Sequence, residues 1–214
     1  AASLDGRIAT ASGESQWITG PSARRLVHGM RARHDAVLVG AGTARADDPS
    51  LTVRGLGMAH QPVRVVVSRR LDVPVASALG RTAREVPVWL IHGAEAPSGA
   101  RVAWSDAGAR LIEVATVSGG QVDMGAALRV LAEAGLTRVF CEGGGALAAT
   151  LLAGDLVDRL AVFNGGLVLG AEGTPSVGAM GIAALAEAPK FRLNRVDQVG
   201  TDTVSHWRRN VNRS

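Results

Sequence analysis

The residues best suited to binding a small anionic ligand are three consecutive glycines, Gly143 to Gly145, which follow the run Val139-Phe140-Cys141-Glu142. An apolar run of strand length, glycines and then Ala146-Leu147 predict a strand, a tight turn and the start of a helix. Glycine lets the backbone approach a phosphate closely, and the first helical turn presents unpaired N–H groups with partial positive charge. The alternative is a glycine turn that only packs the helix on the sheet.

A carboxylate beside such a turn would repel phosphate, so Glu142 is predicted to accept hydrogen bonds from hydroxyl or amino groups of a second ligand. An earlier glycine turn, Gly40-Ala41-Gly42-Thr43, follows the apolar run Ala36-Val37-Leu38-Val39. It fails as a dinucleotide fingerprint because Arg45 occupies the third glycine position. Both turns nevertheless stand at the carboxyl end of a buried strand, the edge at which open α/β sheets bind ligands.

A basic helix is predicted from Pro21, with Thr19 as its cap. No carboxylate occurs between Pro21 and Arg33, so the polar face of this helix either offers positive charge to a pocket or is merely solvated. His28 and His34 have no partner at metal-ligand spacing and are interpreted as structural or exposed. The basic residues of the polar face are Arg24, Arg25, His28 and Arg31.

Length and composition favour a single domain spanning residues 1–214. The chain is 47% hydrophobic and 20% charged, as expected for a compact domain with a sizeable core. No apolar run reaches the roughly 18 residues of a membrane span, and no leader pattern is visible, so a cytoplasmic protein is expected. The opening residues predict a strand entered midway, as in a module cut from a longer chain.

Several function classes are disfavoured by the residue types. The one cysteine, Cys141, lies in an apolar run and is predicted to be a buried, inert thiol, and no metal site is expected. The net charge is +4 and the aromatic fraction is 3%, with no basic run interleaved with aromatics. Nucleic-acid binding by base stacking is therefore not expected, and the arginine excess favours small phosphorylated ligands.

The remaining pattern predicts an α/β fold with one twisted, mostly parallel sheet and helices on both faces. A helix is predicted between Asp123 as cap and Gly135 as stop. The last two segments, Phe191 to Val199 and Thr203 to Trp207, alternate in polarity and predict an antiparallel pair joined at Gly200. Further strands are predicted at Pro62 to Val67, Val88 to Ile91, Leu111 to Val114 and Leu160 to Phe163.

Four motifs resemble the reductase domain of bacterial riboflavin-biosynthesis deaminase/reductase proteins, and the resemblance covers essentially the whole chain. The motifs are Ser3-Leu4-Asp5-Gly6-Arg7-Ile8-Ala9, Ser12 to Thr19, Asp47-Asp48-Pro49-Ser50-Leu51-Thr52-Val53-Arg54, and Glu142-Gly143-Gly144-Gly145. The resemblance implies a three-layer dihydrofolate-reductase-like fold with antiparallel C-terminal strands, and a homodimer. It further implies NADPH-dependent reduction of the ribosyl group of 5-amino-6-(5-phosphoribosylamino)uracil to a ribityl group.

The same resemblance implies two sets of site residues. Contacts to the phosphoribosyl-pyrimidine substrate are implied for Ser15, Arg31, Leu51, Arg54 and Glu142. Contacts to NADP are implied for Ala1, Trp17, Thr43, Asp47, Ser68 and the turn formed by Gly144, Gly145, Ala146, Leu147, Ala148, Ala149 and Thr150. No residue is assigned as proton donor. Bacterial members usually carry a zinc deaminase domain, whose signature this sequence lacks. Either a deaminase domain or partner exists outside this chain, or the reductase acts alone.

Among the site residues, Arg31 and Arg54 are expected to bind the 5′-phosphate of the substrate. Preference for NADPH is expected because the strand Val63 to Val67 ends in Ser68-Arg69-Arg70, whose arginines could bind the 2′-phosphate. The first acid beyond this strand end, Asp72, is expected to lie outside contact range of it. Two alternatives stay open. One is a folate-type reductase, which the acid-free first helix disfavours, and the other is a non-catalytic nucleotide-binding module. Whether the deaminated or the aminated pyrimidine is the substrate cannot be read from these residues.

Overall fold

The computed structural model describes residues 1–117 and 119–210. Six helices and ten strands are formed within these residues. The helices are α1 Pro21–Arg31, α2 Ala41–Asp47, α3 Ala78–Arg81, α4 Ser98–Asp106, α5 Met124–Glu133 and α6 Gly145–Ala153. The strands are β1 Arg7–Ala9, β2 Ala36–Gly40, β3 Val63–Val67, β4 Val88–His92, β5 Arg110–Glu113, β6 Val139–Cys141, β7 Arg159–Asn164, β8 Thr174–Pro175, β9 Phe191–Val199 and β10 Asp202–Arg209.

The chain divides into two compact units. The first, here named the parallel unit, is His28–Gly144. The second, the antiparallel unit, is Ala1–Val27 together with the residues from Gly145 onward. The chain passes from one unit to the other within α1 and again between Gly144 and Gly145. The single reductase domain over residues 1–214 stays a prediction.

The parallel unit is built on one parallel sheet with the strand order β5-β4-β3-β2-β6. Its central strands are continuous apolar runs, and Val37, Val39 and Val66 are fully buried, as expected for strands covered on both faces. From β2 the chain adds strands on one side as far as β5, and then places β6 on the other side of β2. The strand order therefore reverses between β2 and β6, which is where open α/β sheets bind ligands.

The antiparallel unit contains the sheet β7-β10-β9 and the short pair β1-β8. The predicted antiparallel pairing of the last two segments is confirmed, with Asp202 opposite Val199 across the turn at Gly200. A mostly parallel sheet followed by an antiparallel ending is likewise confirmed, although the antiparallel strands form sheets of their own rather than extending the parallel one. No helix in the described residues is long and apolar enough to cross a membrane.

The helix caps show one correct and one wrong prediction. Asp123 caps α5, and its Oδ1 atom accepts a hydrogen bond from the Ala126 N–H at 2.9 Å. Thr19, by contrast, does not cap α1, because the carbonyl of Gly20 accepts the first helical hydrogen bond, from Arg24 N–H. The Gly20 N–H donates to the carboxylate of Asp202 at 2.7 Å. A carboxylate distant in sequence thus lies at the positive end of α1, as the helix dipole favours.

Candidate active site

The two glycine turns meet at the point where the strand order reverses. Strand β2 leads into α2, which carries Thr43, and β6 leads into Glu142 and Gly144. The Gly144 N–H donates a hydrogen bond to Thr43 Oγ1 at 2.9 Å. A Cβ atom added to Gly144 would lie 3.2 Å from the same oxygen, so a larger residue here would require the Thr43 hydroxyl to shift. Both turns therefore contribute to one edge of the parallel sheet.

Glu142 forms a two-pronged ion pair with Arg31 at this edge. Arg31 Nε lies 2.6 Å from Oε1 of Glu142, and one terminal nitrogen of Arg31 lies 2.7 Å from Oε2. The side chains are only 11% and 19% exposed, and such bidentate pairs are among the stronger charge-assisted contacts. The polar face of α1 is therefore not a purely positive surface here, because Glu142 supplies the acid that the helix lacks. Substrate contacts by Arg31 and Glu142 stay predictions.

Side chains from elsewhere in the unit bind the backbone of Thr52, Val53 and Arg54. Arg31 donates to the Thr52 carbonyl at 2.8 Å. The amide of Gln61 binds both backbone groups of Val53, accepting from its N–H at 2.7 Å and donating to its carbonyl at 3.1 Å. His28 Nδ1 accepts from the N–H of Arg54 at 3.2 Å. These contacts fix the direction in which the chain presents Arg54.

Leu51 precedes this run and adopts a left-handed backbone with φ of 55°. Its side chain is buried in the hydrophobic core, so a contact between Leu51 and a ligand would have to use its backbone. The neighbouring carbonyl of Ser50 accepts a hydrogen bond from Arg64 at 3.3 Å. Arg64 also donates to the hydroxyl and carbonyl of Thr82 and to the carbonyl of Val86.

Arg64 is fully buried although it lies in the apolar strand β3. All of its hydrogen-bond acceptors in the described chain are neutral oxygens, and burial lowers the pKa of its guanidinium to about 10. A buried cation is costly unless its donors are paired. The bonds from the two terminal nitrogens compensate for part of the lost hydration, whereas the buried Nε of Arg64 has no hydrogen-bond partner in the described chain. Arg64 therefore joins Ser50, at the start of the segment Ser50 to Arg54, to the turn that follows α3.

Arg54 differs from Arg31 in the freedom of its side chain. It is exposed, and its guanidinium has no hydrogen bond or ion pair with any described residue. All five N–H donors of that group are available to an oxyanion, whereas three nitrogens of Arg31 already have partners. Within residues 1–117 and 119–210, Arg54 is thus a cation without an ion-pair partner, two residues beyond Thr52, whose carbonyl binds Arg31.

Ser68 lies at the carboxyl end of β3 and is buried. Its hydroxyl donates to Asp72 Oδ1 at 2.7 Å and accepts from the Asp72 N–H at 3.1 Å. The expectation that Asp72 lies out of contact range is wrong, because Leu71 has a φ of 55° and turns the chain back on itself. Asp72 also forms an ion pair with Arg45, so its charge is partly neutralised.

The two arginines within this turn have different surroundings. Arg69 packs against Gly93 and Gly120, and its guanidinium lies 3.7 Å from the carboxylate of Glu95. Arg70 is exposed, and its side chain has no hydrogen bond or ion pair among residues 1–117 and 119–210. Of the pair predicted to favour a phosphorylated cofactor, Arg70 is the one whose charge is free.

The two acidic residues at the end of α2, Asp47 and Asp48, have different surroundings. Asp48 has a left-handed backbone, ends α2, and accepts a hydrogen bond from the Ala78 N–H at 2.6 Å. Its role is therefore to join α2 to the start of α3. Asp47, the predicted cofactor contact, keeps an exposed surface, while nearby protein reduces its solvation and raises the pKa of its carboxyl above the ordinary value.

Three of the predicted residues lie in the N-terminal part of the antiparallel unit. Ala1 is exposed and Ser15 is half-buried. Trp17 is 67% exposed, and the Arg24 guanidinium lies 4.3 Å from the centre of its ring. A cavity of about 620 Å³ opens beside this pair and is also lined by Gly166, Leu167 and Asp202. The exposed indole agrees with a ligand contact better than with a core position.

The predicted phosphate turn continues into α6 of the same unit. Gly145 is buried, and an added Cβ would lie 2.6 Å from the Pro175 carbonyl oxygen. Ala149 is also buried. Because N–H groups beyond the first turn of a helix are bonded within it, a ligand could use only the N–H groups of the first turn of α6. Thr150 directs its hydroxyl to the carbonyl of Ala146 at 3.0 Å. The remaining members of the predicted turn, Leu147 and Ala148, are half-buried.

Other chemistry finds no support in the described residues. Burial raises the pKa of the Cys141 thiol, which disfavours the reactive thiolate. No group of three or more His, Cys, Asp or Glu side chains within residues 1–117 and 119–210 could bind a metal ion.

The chain was compared with known proteins, and residues 1–205 match the family described as the RibD C-terminal domain. The chain belongs to this family. The riboflavin biosynthesis protein RibD of Bacillus amyloliquefaciens is 34% identical over 205 residues, which cover 94% of this chain and 54% of that protein. The RibD C-terminal domain described here thus spans about half the length of the curated RibD relatives that it matches.

Two further proteins extend the comparison. The 2,5-diamino-6-ribosylamino-4(3H)-pyrimidinone 5′-phosphate reductase of Archaeoglobus fulgidus is 31% identical over 209 residues, covering 94% of this chain and 91% of that protein. The solved structure of Acinetobacter baumannii RibD matches with a TM-score of 0.82 and 28% identity, covering 98% of this chain and 56% of that one. The expected α/β fold class is therefore confirmed by both topology and structural likeness.

Sequence reasoning missed three residues of this site. His28 was interpreted as structural or exposed, although it stands three residues before Arg31 on the same helix face. Arg64 carried a signal, because a charged residue inside an apolar strand is unusual and demands partners. Gln61 carried none, since its position before Pro62 gives no indication that its amide binds Val53.

Proposed function

We propose that this RibD C-terminal domain reduces the ribosyl group of 5-amino-6-(5-phosphoribosylamino)uracil to a ribityl group with NADPH. The observation that carries the proposal is the Arg31–Glu142 pair at the edge where the strand order reverses, with Arg31 also bound to the Thr52 carbonyl and the exposed Arg54, which has no ion-pair partner in the described chain, two residues further on. A phosphorylated, hydroxyl-rich ligand matches this arrangement. Its phosphate needs a cation, and its hydroxyl groups need polar side chains whose charges are already paired. The name of the Archaeoglobus fulgidus relative supports the same substrate class.

The residues of the parallel unit would divide the substrate between them. Arg54 would bind the 5′-phosphate with its planar set of donors, and Arg31 would use its two remaining N–H groups. Glu142 keeps acceptor capacity beyond its two bonds to Arg31, which suits a hydroxyl or amino group of the ligand. Leu51 would contribute a backbone contact. Ser15 is proposed as a further hydroxyl contact.

The donor set of the chain fits a nicotinamide dinucleotide with a 2′-phosphate. Arg70 offers a free cation at the end of β3, whereas Asp72, which could have repelled the phosphate, is bound to Ser68 and Arg45. Thr43, Asp47 and the first turn of α6 are proposed to bind the rest of the cofactor. When bound, NADPH would supply a hydride to C1′ of the ring-opened ribosylamine.

We further propose that the protein is a homodimer. Strand β9 is an outer strand of its sheet, and it exposes 47% of Leu193 and 54% of Val196. Exposed apolar side chains on an outer strand favour pairing with a second copy. Light scattering at micromolar concentration is expected to give twice the chain mass of 22.0 kDa. A single species at the chain mass would contradict the dimer.

Turnover is tested by following NADPH absorbance with three candidate substrates. The deaminated ribosylaminopyrimidine phosphate is expected to be reduced and dihydrofolate is not, and the rate with the aminated compound shows which pyrimidine is preferred. Faster turnover of the aminated compound would identify it as the preferred substrate. Absence of turnover with both would contradict the proposed activity, and turnover of dihydrofolate alone would favour a folate-type reductase.

A further inference from the structure

His28 is the least explained polar side chain beside the proposed phosphate contact. It lies on α1 one helical turn before Arg31, and it is half-buried. Its Nδ1 atom accepts the hydrogen bond from the Arg54 N–H at 3.2 Å. An imidazole nitrogen accepts only when it carries no proton, so this bond requires neutral His28 with its proton on Nε2.

The surroundings of His28 favour that neutral form. Burial is the main cause that lowers its pKa, and the positive charges of Arg31 and Arg54 lower it further. A backbone hydrogen bond with Thr52 and the charge of Glu142 act in the opposite direction and are weaker. These groups come from α1, from the segment after α2 and from the end of β6. At neutral pH the acceptor state therefore predominates.

The bond matters because nothing else in the described chain binds the Arg54 N–H. Gln61 binds Val53 and Arg31 binds the Thr52 carbonyl, so the backbone is fixed up to the residue before Arg54. The contact from His28 extends this order by one residue, to the Cα atom from which the free guanidinium projects. An exposed arginine loses less conformational entropy on binding when its backbone is already ordered.

We propose that His28 is a positioning residue, which orders the backbone of Arg54 and so strengthens binding of a phosphorylated substrate by the Arg54 guanidinium. The inference rests on the proposed function, because it assumes that Arg54 binds the substrate phosphate. His28 itself does not touch the substrate. Its contribution is to the Michaelis constant of the substrate rather than to the hydride transfer.

Three substitutions separate this role from a general packing role. His28→Asn keeps an acceptor near the position of Nδ1, His28→Gln extends the amide by one methylene beyond it, and His28→Ala removes it. We expect His28→Ala and His28→Gln to raise the substrate Michaelis constant about three- to tenfold, with kcat and the NADPH Michaelis constant unchanged. In His28→Asn, the substrate Michaelis constant should stay within about twofold of its value in the unaltered protein. Equal constants for Asn and Gln would overturn the proposal.

A second measurement does not depend on turnover. In a titration followed by nuclear magnetic resonance, the Arg54 amide should shift in step with protonation of the His28 ring, whose pKa is lowered from its ordinary value. The same amide should not titrate in His28→Asn. An Arg54 amide that is indifferent to the ring would overturn the inference even if the enzyme is active. A coupled amide in a protein without reductase activity would instead contradict the proposed function alone.

Discussion

Two segments of the parallel unit carry the proposed contacts to two different ligands, and they are ordered in opposite ways. The segment Ser50 to Arg54 takes most of its hydrogen bonds from side chains of other elements. The segment Ser68 to Asp72 closes on itself through a serine and an aspartate four residues apart. The substrate side is thus shaped by tertiary structure, whereas the cofactor side is shaped by a local turn.

This difference predicts how each segment responds to substitution. Changes around Ser50 to Arg54 should affect stability and substrate binding together, because the same side chains serve both. Changes to Arg69 and Arg70 should affect charge alone, since the turn between Ser68 and Asp72 does not depend on either guanidinium. The three predictions below test this contrast.

The largest effect is expected from Arg64, whose four hydrogen bonds connect Ser50 to the turn after α3. Arg64→Ala should lower the free energy of unfolding by roughly 3–5 kcal/mol, because it leaves buried carbonyls unpaired and opens a cavity. Urea denaturation measures this loss. Arg33→Ala, an exposed arginine of the same unit, is the control and should change stability by less than about 0.5 kcal/mol. A loss below about 1 kcal/mol for Arg64→Ala would refute the inference that the segment Ser50 to Arg54 is held in place by side chains of other elements.

The next effect separates Arg31 from Arg54. Replacing either by Met should raise the substrate Michaelis constant about tenfold or more, because a charge-assisted bond to phosphate is lost. Only Arg31→Met should also lower the free energy of unfolding, by roughly 1–3 kcal/mol, since Glu142 would lose its partner. Steady-state kinetics and urea denaturation of both variants give the two numbers. If neither change alters the Michaelis constant, the phosphate assignment is wrong.

The smallest effect is expected on the cofactor side. Arg70→Ala should reduce the ratio of catalytic efficiencies with NADPH and NADH by roughly tenfold, and Arg69→Ala by about threefold, because Arg69 already faces Glu95. The double change should leave the free energy of unfolding unaltered. Equal efficiencies with both cofactors in the unaltered protein would contradict the NADPH proposal. An unchanged ratio in the double variant would contradict the arginine mechanism alone.

The sequence predicts those features of the fold whose causes lie close together in the chain. The strands β2, β3 and β4 follow from continuous apolar runs, and the Asp123 cap follows from the first turn of α5. The Thr19 cap failed because the carboxylate at that helix start comes from Asp202, which is 182 residues away from Gly20. Local patterns therefore identify the elements, but not which distant groups complete them.

The same limit applies to the candidate site. The resemblance identifies Arg31 and Glu142 as site residues, but no local rule pairs two side chains 111 positions apart. Asp72 was misplaced for a more local reason, since a left-handed conformation at Leu71 is uncommon for a residue with a Cβ. His28 and Gln61 act on backbone groups, and such contacts leave no complementary residue type for a sequence pattern to reveal.

The two glycines at which the chain changes units are constrained by different atoms. An added Cβ at Gly145 would meet the Pro175 carbonyl oxygen at 2.6 Å and the Gly178 nitrogen at 3.1 Å, and main-chain atoms cannot rotate aside. At Gly144 the nearest atom is the Thr43 hydroxyl, a side-chain group that can turn away. In a library of all single substitutions, Gly144 should accept alanine and Gly145 should accept no other residue. Two adjacent codons would then evolve under different selection. Gly144 would be constrained only by a side-chain hydroxyl that can move, and Gly145 by main-chain atoms that cannot.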